Sequence, residues 1–401
     1  MARSLAALLF LPLIAAHASQ KPLTDLNLPV AGFVSLGDSY SAGIGTTSYP
    51  TTKDCRLGTG AYPYLLALDL LPSGPNSTSF QWLSCTGSTT TDILSSPSTP
   101  NTTQVDLIST SPTPSFATLS IGGNDLGFFP VLNACIFRFY SFSSGSCESA
   151  LAAAEAAVES PEFGHKLRLI MAEILDTVKW EKHGDFVVTV TGYAKFFDAE
   201  TEECEDTSLG VWWGVEGSKL TKELRGRINR LVEGVNGRIE QIVRETKRAV
   251  FVDVDGVWEG HRFCEKGVME PDGGREGTWF FLPGGGDSNS TEGATAVRDG
   301  IGKREREVVE RIVNDEECEE RVKDWGEMAL CRMAMAKRRD PGLRLKGDLV
   351  WEEAMWYVPT YYGKTFHPRS RGHEAIRDRI YEVWRDHGIK FRPLKEVGGG
   401  D

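Results

Sequence analysis

Short apolar runs punctuate the chain at Phe33–Leu36, Phe80–Leu83, Phe116–Ile121, Phe186–Val190 and Ala249–Val254. Runs of this length, rich in Val and Phe and bounded by Gly, Pro, Ser or Asp, read as buried strands rather than helices. Between the third and fourth, the stretch His165–Trp180 sets Leu167, Ile170, Ile174, Leu175 and Val178 at three- and four-residue steps, which predicts an amphipathic helix. A second helix is predicted over about Lys219–Thr246, with Leu224, Ile228, Leu231, Val235, Ile239 and Ile242 on one stripe. A third follows Ser370, buries Ile376, Ile380 and Val383, and stops at Gly388. Strands alternating with helices build a parallel sheet covered on both faces. The expected fold is therefore α/β: three layers, α/β/α, around a mainly five-stranded parallel sheet of flavodoxin-like character.

The remaining segments break this rhythm. Pro271–Gly293 is glycine-rich and reads as a long loop carrying the aromatic cluster Trp279, Phe280 and Phe281. Residues 298–348 are dense in both charge signs, with Val308, Val309, Ile312 and Val313 at helical spacing. They are taken as a helical insertion, a solvated hairpin in preference to a lid. No linker long enough to separate two domains interrupts the chain, so residues 20–401 are expected to form one domain. Residues 1–19 are set apart: Arg3, an apolar run from Leu5 to Ala16, then the small residues Ala16, Ala18 and Ser19 form the layout of a signal peptide.

An exported protein changes how the rest is read. Elsewhere no window approaches the ~20 apolar residues of a membrane helix, and the polar tail from Glu396 lacks a lipid-anchor pattern. The glycosylation sequons at Asn76, Asn101 and Asn289 have meaning only on a secretory route. Eight cysteines, an even count, favour disulfides there, and with no CxxC pair a zinc site has no support. A formal net charge of −12 repels phosphate backbones and anionic membranes, so nucleic acid is not an expected partner. A monomer is expected.

Candidate chemistry sits where strands end. The first strand runs into Gly37-Asp38-Ser39, a serine on a sharp turn at the carboxyl end of a parallel strand, where open α/β sheets bind ligands. The third ends in Gly122-Gly123-Asn124-Asp125, whose Asn124 amide can donate to a developing oxyanion. After the second strand, Ser84-Cys85-Thr86-Gly87 offers a glycine N–H as a further donor, or else a plain glycine loop pinned by a disulfide. A hydroxyl nucleophile needs a base. His165, His183 and His387 lie on or beside amphipathic helices and read as surface, and His261 is read as structural. His373 falls in the first turn of the last helix, where a surface or capping role is expected. His367, in a loop stiffened by Pro368 just before that helix, is the expected base.

The order GDSYSAG, SCTGSTTTD, SIGGND and FHPRSRGH resembles the four blocks of the SGNH (GDSL-type) hydrolases. GYAKFFD at Gly192 and FVDVDGVWEGHRFC ending at Cys264 resemble their secreted, disulfide-bonded esterase and lipase branch. The resemblance implies a serine esterase or lipase, with Ser39 attacking the ester carbonyl and His367 as general base. It implies an oxyanion hole of the Ser39 N–H, the Gly87 N–H and the Asn124 amide, with no metal or organic cofactor. It also implies the disulfides Cys55–Cys85, Cys135–Cys147 and Cys204–Cys264, leaving Cys318 and Cys331 to each other. One departure stands out: the family's usual Asp three residues before the histidine is Lys364 here, and lysine cannot accept the imidazole N–H. The carbonyl of Lys364, or one next to it, is expected to orient His367 instead, unless a carboxylate such as Asp348 swings in.

Substrate class stays open at this point between lipid or small acyl esters and acetyl groups on a polysaccharide. Trp279, Phe280, Phe281, Phe128 and Phe129 lining the crevice would favour an acyl chain. A secreted binding protein that keeps the fold without turnover is the alternative outside enzymes.

Overall fold

Continuous apolar runs become strands buried on both faces, because a parallel sheet needs its crossover helices on either side. In the computed structural model, which describes residues 27–47, 55–137, 146–209, 218–271, 275–282, 286–287 and 363–393, every expected strand forms. They are β2 (Phe33–Gly37), β3 (Phe80–Trp82), β4 (Phe116–Ser120), β5 (Val187–Thr191) and β6 (Ala249–Val252). All neighbours pair in parallel, in the order β3-β2-β4-β5-β6. Polar side chains within the strands find partners there: Thr118 Oγ1 donates to Ser35 Oγ at 3.0 Å, and Trp384 Nε1 donates to Thr189 Oγ1 at 2.8 Å.

The chain starts in the middle of the sheet at β2, crosses to β3 on one side, then returns past β2 to β4 on the other. The carboxyl ends of β2 and β4 therefore flank the point where the winding direction reverses, the preferred ligand crevice of open α/β sheets. A separate parallel pair, β1 (Asn27–Val30) with β7 (Lys390–Pro393), ties the two ends of the described chain together. Sequence reading passes over it because each strand carries a proline, which a two-stranded ribbon tolerates at its unpaired edge.

The helices follow the apolar stripes. α6 (Pro161–Thr177) starts earlier than the stripe suggests because Pro161 occupies its first turn. α7 (Lys222–Glu245) is capped by the Thr221 hydroxyl, which accepts from the Leu224 N–H at 3.3 Å. α8 (Ser370–Asp386) is followed by Gly388 at φ 66°. Two further helices give no clear stripe: α2 (Tyr62–Leu70), apolar nearly all round, and α5 (Cys147–Glu159), whose alanines blur the period. Single-turn helices α1 (Ser39–Ala42), α3 (Thr90–Ile93) and α4 (Phe128–Leu132) follow strand ends. α2 packs with α8, while α5, α6 and α7 pack together, giving the outer layers. No helix among the described residues is long and apolar enough to cross a membrane.

Three disulfides form as the family resemblance implied: Cys55–Cys85, Cys135–Cys147 and Cys204–Cys264. The last closes a span of 60 residues, so removing it as Cys204→Ser/Cys264→Ser is expected to cost about 4 kcal/mol of stability. Urea unfolding of parent and variant checks this. The expected signal peptide at 1–19, the charged insertion at 298–348, Cys318, Cys331, Asp348 and the Asn289 sequon lie outside the described residues. Asn76 and Asn101 are exposed.

Candidate active site

Strand register brings the first two chemical turns side by side. Gly37 of β2 is level with Ser120 of β4, and the Asp38 N–H donates to the Ser120 carbonyl at 2.9 Å. Gly37 sits at φ +128°, and a Cβ there would lie 2.1 Å from the Ser120 carbonyl oxygen, so only glycine permits this approach. Asp38 caps α1, its Oδ1 accepting from the Tyr40 N–H at 3.0 Å, and Ser39 opens the helical turn.

His367 reaches the serine from the far end of the sequence. Its Nε2 lies 2.7 Å from Ser39 Oγ, and its Nδ1 lies 3.2 Å from the Thr365 carbonyl. A carbonyl only accepts, which places the ring proton on Nδ1 and leaves Nε2 free to take the serine proton. The carbonyl beside Lys364 thus holds the ring; the Lys364 carbonyl itself accepts the His367 backbone N–H at 2.9 Å. Among the described residues, no carboxylate reaches Nδ1. The Lys364 ammonium lies over the Phe281 ring, 4.7 Å from its centroid.

The loop carrying His367 is fixed by backbone pairing with the segment 279–281. Phe281 N–H donates to the His367 carbonyl and Phe366 N–H to the Phe281 carbonyl, each at 2.9 Å, while Arg369 N–H donates to the Trp279 carbonyl at 2.8 Å. Phe366 takes φ +64°, unfavourable for a bulky residue. Its ring is caged by Phe196, Phe197 and Phe263, and its carbonyl accepts from Tyr40 Oη at 3.0 Å. These contacts overrule the local preference.

The Asn124 side of the site is laced by side-chain amides and carboxylates. Asn124 Nδ2 donates one hydrogen to the Ser88 carbonyl at 2.9 Å, leaving the second available to the pocket that Asn124 lines. Asp125 accepts from Thr90 N–H at 3.0 Å and from its hydroxyl at 2.5 Å, fixing the start of α3. Gln104 is buried between turns: it accepts from Gly37 N–H at 2.7 Å and donates to the Gly37 carbonyl at 2.9 Å and Ser88 Oγ at 3.0 Å. Gly87, at φ +90°, lies in the same turn as Ser88. Ser39, His367 and Asn124 line one pocket with Gly123, whereas Gly87 is not part of that lining.

This open pocket is walled by Phe128, Phe129, Leu132, Tyr193, Phe196 and Phe366. Of the aromatics whose placement the sequence left open, Phe128 and Phe129 line it and Trp279, Phe280 and Phe281 do not; Phe280 packs on Phe196, Trp258 and Phe263. One correction concerns His373. It is fully buried rather than at the surface, and its Nδ1 accepts from the Tyr62 N–H at 3.3 Å, since α8 turns that side toward α2.

Three residues at the site carried no role in the sequence reading: Asp38, Tyr40 and Tyr193. Asp38 is buried, and desolvation pushes its carboxyl up to about 7 against the hydrogen bonds from Tyr193 and the Tyr40 N–H. Its position inside the nucleophile triplet was the available signal. Tyr193 follows Gly192 at the end of the fourth strand, where a polar residue leaving a buried run marks the crevice.

Burial holds His367 down at about 4, with the Arg56 charge adding to it and the Thr365 and Lys364 carbonyls partly offsetting it. The imidazole therefore stays neutral well below the ordinary 6.5, and the acid limb of kcat/KM is expected near pH 4–5, read from short initial-rate assays. A limb at 6.5 or above would contradict this environment. Stability runs the other way. His367 and His373, the latter also lowered by burial, to about 3, are neutral when folded but protonate below 6.5 when unfolded, so their contribution is lost as pH falls. Asp38, raised to about 7, takes its proton first in the folded state and gains stability over the same interval. The two histidines thus draw stability away as pH falls below about 6.5, and Asp38 and Asp125, both raised by burial, return part of it.

No protein-family model matches the sequence. Among curated proteins, Lipase 1 of Streptomyces coelicolor is 33% identical over 250 residues, which are 62% of this chain and 76% of that protein. A lipase of Streptomyces rimosus is 26% identical over 264 residues, 66% of this chain and 84% of that protein. Among solved structures, the phospholipase A1 of Streptomyces albidoflavus NA297 is 26% identical, with 63% of this chain and 86% of that chain covered and a TM-score of 0.44.

Proposed function

Because the chain belongs to the SGNH (GDSL-type) hydrolases, carboxylic ester hydrolases among them, we propose that it is a secreted serine esterase or lipase that works through an acyl-enzyme on Ser39. The observation that carries the reading is the 2.7 Å contact between Ser39 Oγ and His367 Nε2 at the mouth of an apolar pocket. Ser39 Oγ attacks the ester carbonyl carbon as its proton passes to His367 Nε2. The oxyanion is received by the Ser39 N–H, the Gly87 N–H and the free hydrogen of the Asn124 amide. Collapse expels the alcohol, which takes the proton from Nε2. Water then gives a proton to Nε2, attacks the acyl carbonyl and restores Ser39, releasing the acid. The Thr365 carbonyl steadies the imidazolium through Nδ1–H, the task a carboxylate performs in other triads. Export is supported by the leader-like residues 1–19 and by three disulfides.

The aromatic and aliphatic walls favour an acyl chain over the acetyl group of a polysaccharide. With p-nitrophenyl esters, kcat/KM is expected to rise from acetate to hexanoate by about two- to fourfold per methylene, since each buried CH2 contributes about 0.8 kcal/mol. A maximum at acetate, with acetylated xylan hydrolysed faster than any longer ester, would turn the reading toward carbohydrate. Labelling by diethyl p-nitrophenyl phosphate, mapped to Ser39 by peptide mass, tests the nucleophile directly.

A further inference from the structure

We propose that Tyr193 is a positioning residue whose hydroxyl locks the turn carrying Ser39 to the turn carrying Asn124. The proposal rests on the roles given to Ser39 and Asn124 above. The Tyr193 hydroxyl donates to Asp38 Oδ2 at 2.5 Å and accepts from the Gly123 N–H at 3.1 Å. Asp38 caps the Ser39 turn, and Gly123 directly precedes Asn124. One phenol oxygen therefore spans the nucleophile and the oxyanion donor. Its single proton goes to the Asp38 carboxylate, because the Gly123 N–H can only donate to the phenol oxygen.

The phenol is itself held rigidly. From α7, Asn236 Oδ1 accepts the Tyr193 N–H at 2.9 Å and Nδ2 donates to the Tyr193 carbonyl at 2.8 Å. Seven residues earlier on the same helix, Asn229 repeats the clamp on Phe197, donating to its carbonyl at 2.8 Å. Two side-chain amides on one stripe thus treat the segment after β5 as a strand and fix it against α7. The Tyr193 ring packs edge-on against Tyr40 at 4.9 Å, and Tyr40 in turn holds the Phe366 carbonyl beside His367. Asp38 and Tyr193 are both buried, so water cannot stand in readily for the lost hydroxyl.

The test is a double-mutant cycle on hydrolysis of p-nitrophenyl butyrate. Tyr193→Phe keeps the ring in the pocket and removes only the hydroxyl. It is expected to lower kcat at least tenfold with KM changed by no more than about twofold, an orientation effect. In an Asn124→Ala background, the same change is expected to cost less than about threefold, since the donor it positions is gone. A kcat within twofold of the parent, or an equal fold-loss in both backgrounds, overturns the proposal. If Tyr193→Phe does not fold, Asn236→Ala runs the same cycle through the backbone clamp, with kcat expected to fall and KM to hold; an unchanged kcat overturns it. Ser39→Ala separates the two readings. Parent-like turnover by Ser39→Ala defeats the proposed function, whereas loss there with an unaffected Tyr193→Phe defeats only the positioning role.

Discussion

His367→Ala is expected to lower kcat by about five to six orders of magnitude, and Ser39→Ala by a similar factor, while the double variant is no slower than either alone. The reason is that the pair acts as a unit: without the base the hydroxyl is not activated, and without the hydroxyl the base has nothing to deprotonate. The geometry makes the loss specific. Nε2 is 2.7 Å from Oγ and Nδ1 faces a backbone carbonyl, and among the described residues no neighbouring side chain is placed to inherit the role. Rates with p-nitrophenyl butyrate, against circular dichroism of each variant, check it. Additive losses, or a His367→Ala rate within a hundredfold of the parent, would contradict the assignment.

Asn124→Ala is expected to reduce kcat by about a hundred- to a thousandfold, some 3–4 kcal/mol, with little change in KM. The amide acts on charge that exists only in the tetrahedral intermediate, so substrate binding hardly senses it. Its other hydrogen holds the Ser88 carbonyl at 2.9 Å, and losing that bond is expected to lower stability by about 1 kcal/mol. Thermal melting measures that part separately. A raised KM with intact kcat would mean that Asn124 shapes the pocket instead of stabilising the oxyanion.

Among the described residues a backbone carbonyl, and no carboxylate, orients the His367 ring. Lys364 stands where an aspartate was expected, and its ammonium rests over Phe281. Burial outweighs the Thr365 and Lys364 carbonyls and keeps the imidazole neutral in acid. The same burial that extends activity downward in pH draws stability away there, and Asp38 returns part of it.

Much of the site was readable because the local signals are short and strict. Gly37-Asp38-Ser39 and Gly122-Gly123-Asn124 sit at the ends of apolar runs, and a parallel sheet brings alternate strand ends to one edge whatever the rest of the chain does. His373 was misread, and the aromatic cluster left unplaced, for the opposite reason. Whether a polar ring in a first helical turn meets water or another helix depends on how α8 lies on α2. Whether Trp279, Phe280 and Phe281 face a crevice depends on which backbone pairs with theirs. Tyr193 escaped notice because a hydroxyl's partners, Asp38 and Gly123, come from two other strand ends.

Periodicity and glycine placement, properties of neighbours in sequence, were enough by themselves to determine the strands, the longest helices and the parallel sheet, and to make Ser39, Asn124 and His367 candidates. What holds Nδ1, which aromatic rings form the pocket wall, and how three turns are laced through Gln104, Asp125 and Tyr193 were decided only in the tertiary structure. Those contacts join residues far apart in the chain, where side-chain direction and burial, not local preference, set the free energy.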